Sequence, residues 1–314
     1  MRSAFIKTLV EIAESDTRIL LLTGDLGYMA LEPFAEKYPD RFFNVGVAEQ
    51  NLVGLATGLA EAGYIPFVYS IVPFAVLRPY EFIRNGPILH QFPVRIVGMG
   101  AGLDYSTNGA SHYGIEDVGV LRVQPGITII SPADYEQARA ALLASWNLPG
   151  PVYYRLSKDD LTLIPGLQGK FELGSVQCIR EGGDVLLIAM GGIVSEAVRA
   201  AELLAAQGVS STILVAASVN PAPVADLLRI LASFRVALTV EAHYVTGGLG
   251  SLVSEVIAES GLPCRLIRCG IKTIPTGITG SLTYMLQLHG LTGEQLAATA
   301  LDALHWNSQA EVVL

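Results

Sequence analysis

Short apolar runs alternate with helical segments along almost the whole chain, and this alternation limits the possible folds more than any other feature of the sequence. The first half contains such runs at residues 19–23, 66–70, 94–99, 127–131 and 151–156, and the second half at residues 184–190, 211–215, 237–241 and 264–268. Apolar runs without polar alternation are typical of parallel strands that are covered on both faces. The pattern therefore predicts an α/β protein with doubly wound, mainly parallel sheets.

The alternation is interrupted between residues 158 and 183, where the period is lost and glycine and proline accumulate. At 314 residues, the chain is long enough for two domains that each have a core of their own. We predict a first domain at residues 1–157, a connection at residues 158–183 and a second domain at residues 184–314.

Composition and charge argue against several classes of protein. Hydrophobic residues make up 51% of the chain and charged residues 16%, which indicates extensive buried surface, and the net charge of −9 argues against nucleic acid or an anionic membrane as the main partner. No apolar run approaches the roughly 20 residues of a membrane span, and the first residues lack the core of a signal peptide. The three cysteines have no CxxC spacing, so we expect buried thiols in a cytoplasmic protein.

Residues 41–63 combine a short apolar strand, a turn at Gly46 and a helix rich in small residues. Gly54 and Gly58 lie inside this helix, where each glycine costs about 1 kcal/mol relative to alanine, so we expect another backbone to approach closely there. Glu49 lies at the start of the same apolar helix. A buried ionised carboxylate needs a partner or a proton, whereas a glutamate at a helix start is also favoured by the helix dipole alone.

Three further side chains are candidates for a functional site. Asp25 follows the strand at residues 19–23, where it either contacts a ligand or caps the next helix. His112 lies in a polar loop at residues 100–114, and loops of this length in compact domains are usually functional or disordered, although a lone loop histidine is usually only solvated. Phe74, which would ordinarily be a core residue, precedes a predicted helix that contains Arg78 and Arg84.

Glycine-rich turns at residues 191–192 and 247–250 are similar to phosphate-binding loops. Neither has the GxGxxG spacing with a following acidic residue, and glycines at turns between strands and helices are common in this fold class for steric reasons. The chain also contains no GxxxxGK[ST], GxSxG or HExxH motif, which argues against P-loop, serine-nucleophile and zinc-peptidase chemistry.

Five short motifs taken together resemble the transketolase family. They are NVGVAEQN at residues 44–51, YSIVPFAVLRPYE at 69–81, GASHYGIED at 109–117, VEAH at 240–243 and GGLGS at 247–251. The resemblance covers nearly the whole chain. Within the family, the chain most resembles the C-terminal subunit of a split transketolase. It implies a pyrimidine-binding domain of the thiamine diphosphate-binding fold, followed by a transketolase C-terminal-like domain, and a transfer of a two-carbon ketol unit from a ketose to an aldehyde.

The resemblance also implies roles for individual residues. Glu49 falls on the family's catalytic glutamate, which hydrogen-bonds the N1′ atom of the aminopyrimidine ring of thiamine diphosphate. Phe74 falls where an aromatic ring stacks on that pyrimidine, and Asp25 falls near the cofactor. His112 matches the catalytic histidine that contacts substrate oxygen atoms. Lys158 takes the place of an arginine that holds a substrate phosphate, and Arg78 is a further candidate for the substrate.

In this superfamily, a GDG…N motif of an N-terminal domain holds the cofactor's diphosphate and its divalent metal. The sequence contains no GDG, and no metal site is predicted on this chain. We therefore expect a separate N-terminal transketolase subunit that holds Mg²⁺ or Ca²⁺, in an alpha2beta2 heterotetramer. The small-residue face of the helix after Glu49 is then expected to pack at a subunit interface.

Departures from the family pattern leave the substrate open. Lys158 replaces an arginine, so a single ammonium charge replaces a guanidinium group that can form two parallel hydrogen bonds to a phosphate. GASH replaces the family's GPTH at residues 109–112, and residues 271–277 also differ. The alternatives are the beta subunit of a 2-oxoacid dehydrogenase or decarboxylase, a synthase that joins pyruvate to a sugar aldehyde, and a non-catalytic relative that kept the fold.

Overall fold

A computed structural model describes residues 1–310 of the chain, so the predicted end of the second domain at residue 314 lies outside the described part. The two predicted α/β units are present, and each is built on one sheet of mainly parallel strands. The prediction of the fold class is thereby confirmed.

The first part of the chain alternates strands and helices in the predicted order. Its elements are α1 (Arg2–Ser15), β1 (Ile19–Thr23), α2 (Glu32–Lys37), β2 (Phe42–Asn44), α3 (Glu49–Glu61), β3 (Ile65–Ile71), α4 (Val72–Val76), α5 (Tyr80–Ile83), β4 (Arg95–Met99), α6 (Asp117–Arg122), β5 (Thr128–Ile130), α7 (Tyr135–Ser145) and β6 (Val152–Leu156).

Both faces of the first sheet are buried. Successive residues of a strand point to opposite faces, and accordingly Leu21 and Phe67 pack with α1 on one side, while Leu22 and Val68 pack with α3 on the other. Helices on both faces explain why every residue of β1, β4 and β6 is buried, without alternation.

One predicted helix is divided in the structure. The pattern predicts a helix that contains Arg78 and Arg84, but α4 ends at Val76, Arg78 lies in a turn, and a π-helical segment (Arg84–Ile88) follows α5. Proline at residues 79 and 87 accounts for the divisions, because its ring removes a backbone donor and clashes with a continuing helix.

The second part of the chain forms a five-stranded sheet in the order β12-β11-β8-β9-β7. Its elements are β7 (Gln177–Arg180), β8 (Val185–Met190), α8 (Val194–Ala205), β9 (Ser211–Val215), β10 (Ser218–Asn220), α9 (Val224–Leu231), β11 (Val236–Tyr244), α10 (Leu249–Ser260), β12 (Arg265–Ile271), α11 (Leu282–Leu288) and α12 (Gly293–Ala310). None of the helices within residues 1–310 is long and apolar enough to cross a membrane.

The structure contains two short strands, β7 and β10, that the sequence pattern did not predict. β7 lies within residues 158–183 and pairs antiparallel with β9 at the edge of the second sheet. β10 belongs to the second half of the chain but pairs antiparallel with β5 of the first sheet, whose order is β10-β5-β6-β4-β3-β1-β2. Strands of three or four residues carry too little apolar periodicity to be recognised from sequence.

Candidate active site

The candidate site is built at the carboxyl ends of β1, β2 and β3, around the carboxylate of Glu49. The first residue of α3, Glu49, is 1% exposed. The hydroxyl of Ser70, near the end of β3, donates to Oε1 at 3.2 Å, and Nη1 of Arg78 donates to Oε2 at 2.9 Å. The buried carboxylate is thus stabilised by a charged partner, Arg78, as well as by its position at the start of a helix.

Two glycines allow the chain to close over this carboxylate. A side-chain carbon at Gly24 would lie 3.2 Å from the carbonyl oxygen of Gly46 and 3.7 Å from Oε1 of Glu49. Gly46 has a φ of +76°, a left-handed conformation that glycine adopts at little cost. The strand ends can therefore approach Glu49 more closely than larger residues would permit.

Arg78 connects Glu49 with Phe74. Its guanidinium carbon lies 3.9 Å from the centre of the Phe74 ring, while Nη1 contacts the carboxylate. Phe74 is held on α4 and is half-buried. The resemblance implies that Arg78 binds the substrate and that Glu49 and Phe74 bind the pyrimidine ring. In the structure, Arg78 contacts both Glu49 and Phe74.

His112 lies beside the same aromatic ring. Its ring centre is 5.0 Å from that of Phe74 at an interplanar angle of 70°, an edge-to-face contact. The loop that carries it is closed at its base by paired backbone hydrogen bonds between Gly102 and Gly114. Nδ1 of His112 shares a hydrogen bond with the hydroxyl of Ser111 at 3.0 Å, and Nε2 has no partner among the described residues.

Lys158 lies against Tyr105, which is a neighbour of His112. Its ammonium nitrogen is 4.2 Å from the centre of the Tyr105 ring, which is itself 6.2 Å from the ring centre of His112. The backbone N–H of Lys158 donates to Asp104 at 2.8 Å, which fixes the start of the segment after β6. A row of contacts therefore leads from Glu49 through Arg78 to Phe74 and His112, and through Tyr105 to Lys158.

Arg2 is a candidate that the sequence analysis missed. Its Nε atom is buried and has no hydrogen-bond partner among the described residues. Burial raises the pKa of the Tyr105 hydroxyl, and the nearby positive charge of Arg2 opposes that rise. Arg2 thus brings a second cation to the end of the row occupied by Lys158, and no sequence motif marks it because it lies in an ordinary amphipathic helix.

Asp25 lies at the rim rather than on Glu49. Oδ1 of Asp25 accepts hydrogen bonds from Nδ2 of Asn44 at 2.9 Å and from the hydroxyl of Tyr28 at 3.0 Å. These two bonds, that of Asn44 first, lower the pKa of the exposed Asp25 carboxyl. Asp25 does not cap the next helix, since Leu31 occupies the N-cap position of α2.

The glycine turn at residues 247–250 holds an internal carboxylate instead of a ligand. Glu241 of β11 accepts hydrogen bonds from the N–H groups of Leu249 and Gly250, both at 2.8 Å, at the start of α10. A side-chain carbon at Gly248 would lie 2.0 Å from Oε2 of Glu241. The steric interpretation of these glycines is therefore correct, and the turn has no room for a phosphate. Burial raises the pKa of Glu241 to about 7.

A buried ion pair supports the loop that carries His112. Nε of Arg155 donates to Asp117 at 2.8 Å, and both side chains are 1% exposed. Nη2 of Arg155 donates to the carbonyl oxygens of Gly114 in the first domain and Ala242 in the second, at 2.8 and 2.9 Å. Arg155 therefore ties the end of the loop to both sheets, a role that sequence patterns alone did not reveal.

Two models of known protein families match the chain, one in each half. The family model of the transketolase pyrimidine binding domain matches residues 1–163, and that of the transketolase C-terminal domain matches residues 174–296. The chain belongs to the transketolase family. The predicted resemblance is thus confirmed for both halves of this transketolase chain.

Its relatives include separate transketolase subunits. The chain is 36% identical to a protein of Methanocaldococcus jannaschii described as a transketolase C-terminal section, over 97% of this chain and 96% of that protein. It is 35% identical to the 6-deoxy-6-sulfo-D-fructose transketolase subunit SqwH of Clostridium sp., over 96% of this chain and 93% of the relative. It is 34% identical to an apulose-4-phosphate transketolase subunit of Actinobacillus succinogenes, over 87% and 88% respectively.

A solved structure described as a split gene transketolase, inactive beta4 tetramer, superposes with a TM-score of 0.87 at 34% identity and covers 97% of this chain and 98% of that one. By contrast, the chain spans only 47% of the 1-deoxy-D-xylulose-5-phosphate synthase of Pelotomaculum thermopropionicum, to which it is 32% identical. The matches over full length confirm the prediction that the chain is a transketolase C-terminal subunit, a transferase of this family.

Proposed function

We propose that this transketolase subunit uses thiamine diphosphate to transfer a two-carbon ketol unit from a ketose donor to an aldehyde acceptor, together with a separate N-terminal subunit. The observation that carries the proposal is the position of the Arg78 guanidinium, which is stacked on Phe74 and bonded to the buried carboxylate of Glu49.

The position of the guanidinium supports a fit between these two residues and the aminopyrimidine ring of the cofactor. It is planar and cationic, it presents an N–H to Oε2 of Glu49, and it lies over an aromatic face. A protonated aminopyrimidine has the same three properties, so Glu49 and Phe74 would hold the ring where Arg78 now lies. Arg78, whose side chain is 42% exposed, can turn outward when the ring enters.

The chain's own residues then have distinct tasks. The bound cofactor supplies an electron sink for the carbanion that forms when the ketose is cleaved. Glu49 shares a proton with the ring nitrogen in a site of low dielectric, where a hydrogen bond to a charged group is strong. His112 holds substrate oxygen atoms through Nε2, the nitrogen that has no hydrogen-bond partner among the described residues. Phe74 contacts both the place proposed for the ring, now covered by Arg78, and the imidazole of His112.

The far end of the row favours a substrate with an anionic terminus. Lys158 and Arg2 bring two positive charges close to Tyr105, and Nε of Arg2 has no partner within residues 1–310. The names of two relatives specify substrates that carry a sulfonate and a phosphate. We propose that Lys158 and Arg2 bind the corresponding anionic group of this enzyme's donor or acceptor.

The N-terminal partner is also part of the proposal. This chain has no GDG motif for the diphosphate and its Mg²⁺ or Ca²⁺, and the similar split transketolase structure is described as inactive when it contains beta subunits alone. The face of α3 next to Gly54, together with exposed Leu55 and Phe82, offers an apolar surface for contact with another chain. We infer an alpha2beta2 assembly in which the N-terminal subunit completes the cofactor site.

The experiment compares the full chain alone with the chain co-expressed with an N-terminal subunit. The pair is expected to transfer a two-carbon unit from a ketose phosphate, and Glu49→Gln is expected to lower the rate at least about 100-fold, whereas Glu61→Gln at the other end of α3 leaves it unchanged. Undiminished transfer by Glu49→Gln would support a non-catalytic relative. Full activity of the lone chain would refute the partner, and product from pyruvate in place of the ketose would indicate a synthase.

A further inference from the structure

The second domain holds the segment that directly follows His112. The backbone N–H of Tyr244, at the end of β11, donates to the carbonyl oxygen of Ile115 at 2.9 Å. The hydroxyl of Tyr113 donates to the carbonyl oxygen of Ile278, which lies between β12 and α11, at 3.1 Å. The end of the His112 loop (residues 100–114) is thus anchored to two separate parts of the second domain.

His243 makes a third contact, and it reaches α6, the helix that begins shortly after the loop. The proposed reaction gives this residue of the VEAH motif at 240–243 no task. The N–H of Gly119, the third residue of α6, donates to Nε2 of His243 at 3.2 Å. The first N–H groups of a helix have no acceptor within the helix, and the N-cap residue Glu116 makes no side-chain capping bond. His243 therefore caps α6 from the other domain.

The surroundings of His243 decide which ring nitrogen carries the proton. The side chain is fully buried. Nδ1 lies 2.7 Å from the carbonyl oxygen of Tyr244, an atom that can only accept, so Nδ1 donates and Nε2 is left as the acceptor for Gly119. Burial, the largest effect, lowers the pKa of His243, which favours the neutral ring that this arrangement needs.

The backbones of the two domains approach closely at both ends of the loop. A side-chain carbon at Gly119 would lie 3.4 Å from Cε1 of His243 and 3.5 Å from the α-carbon of Gly247. At the base of the loop, a side-chain carbon at Gly102 would lie 2.6 Å from the β-carbon of Ala242. Residues 242 and 243 therefore contact both ends of the segment that carries His112.

The two domains are also joined at a second place that does not involve His243. β10 pairs antiparallel with β5, and the N–H of Ser131 donates to the carbonyl oxygen of Ala217 at 2.7 Å. Because these backbone bonds remain when the imidazole is removed, its loss is not expected to separate the domains. The effect of such a change is expected at α6 and at the His112 loop.

We propose that the second domain positions the His112 loop and that His243 is a positioning residue, which holds the start of α6 so that His112 meets the substrate correctly. The inference rests on the proposed function, in which His112 contacts substrate oxygen atoms. A misplacement of about 1 Å can cost about 100-fold in rate. Glu49 is carried by α3 and not by this loop, so cofactor binding is expected to be unaffected.

Steady-state kinetics of the chain paired with its N-terminal subunit test the position of His112. His243→Leu, which removes the acceptor, is expected to lower kcat/KM for the ketose about 10- to 100-fold. The thiamine diphosphate concentration that gives half of the maximal rate is expected to change less than about twofold. His243→Gln, whose amide oxygen can replace Nε2 as acceptor, is expected to recover most of the rate.

Two controls separate positioning from a general loss of stability. Leu296→Ala removes a buried side chain of α12, which packs against α8, and is expected to lower the melting temperature at least as much as His243→Leu without changing kcat/KM. Thr239→Val replaces a buried hydroxyl on the strand of His243 that has no partner within residues 1–310, and is expected to change neither. A loss of rate in Leu296→Ala equal to that in His243→Leu would overturn the positioning role.

Hydrogen exchange of the lone subunit, which needs no catalysis, tests the contact itself. His243→Leu is expected to speed exchange of residues 109–122 at least about tenfold and to leave α3 unchanged, and His243→Gln is expected to restore protection. Unchanged exchange, or faster exchange with an unchanged rate of transfer, would overturn the inference alone. Absence of transfer by the unmodified pair would instead refute the proposed function, and exchange would still decide whether His243 orders the loop.

Discussion

Arg78 donates a hydrogen bond of 2.9 Å to the buried carboxylate of Glu49 while its guanidinium group covers the ring of Phe74. One partly exposed side chain therefore both pairs with a buried carboxylate and occupies the place proposed for the cofactor ring. This contact gives the buried Glu49 side chain a cationic partner before the site is complete, and a buried charge without a partner is strongly destabilising.

Replacement of this arginine tests the relationship on the subunit alone. Arg78→Met is expected to lower the free energy of unfolding by about 1–2 kcal/mol, because Glu49 then retains only Ser70, and the partial exposure of Arg78 reduces the loss. Urea denaturation at neutral pH measures the effect. The double variant with Glu49→Gln is expected to lose less than Arg78→Met alone. Arg84→Met, an exposed arginine of the same region, is the control, and an equal loss there would argue against the pairing.

Lys158 is expected to act on substrate binding rather than on the cofactor. Lys158→Ala in the reconstituted enzyme should raise KM for a ketose phosphate about 10- to 100-fold, because a charge-assisted contact is lost, and leave kcat/KM for an uncharged ketose nearly unchanged. Steady-state kinetics with the two donors measure this difference. Lys170→Ala is the control, and an equal effect on both donors would contradict the role in binding an anion.

Glu241 predicts a specific dependence of stability on pH. Burial raises its pKa from 4.5 to about 7, so the folded chain binds more protons than the unfolded chain between these values. Its contribution to stability is therefore complete below pH 4.5 and is lost as the pH rises through 7, by at most about 3 kcal/mol.

Urea denaturation between pH 4.5 and pH 8 measures that loss. In Glu241→Gln this slope is expected to disappear, while the variant is less stable overall because one N–H of α10 loses its acceptor. Glu196→Gln is expected to retain the slope. A slope that persists unchanged in Glu241→Gln would assign it to another group.

The glycine turn beside Glu241 predicts a large steric effect. A methyl group at Gly248 would lie 2.0 Å from Oε2 of Glu241 and 2.7 Å from Nδ1 of His243, so Gly248→Ala must displace the carboxylate from the start of α10. We expect a loss of about 3 kcal/mol or more, measured by thermal denaturation. Gly183→Ala meets no atom within 4 Å and is the matched control. A melting temperature that is the same in both variants would refute this account of the turn.

The family motifs could be interpreted from sequence because each is local. The NVGVAEQN segment identifies Glu49, and the strands around it follow from apolar runs that tolerate burial on both faces. The helix predicted after β3 is divided in the structure because of proline. The apolar pattern continues through Arg78, but the backbone cannot continue as one helix there. The two edge strands β7 and β10 were missed because antiparallel pairing over three or four residues leaves almost no periodic signal.

The sequence by itself determined the α/β fold class and the motifs of the transketolase family, and it selected Glu49, Phe74, His112 and Lys158 as candidate site residues, because these depend on composition and spacing within short segments. Only the tertiary structure decided that Arg78 lies on Glu49, that Arg2 approaches Tyr105, and that Glu241 fills its own glycine turn. The physical reason is that burial and pairing join groups from distant parts of the chain. The electrostatic state of each group depends on those neighbours, whose approach no local pattern encodes.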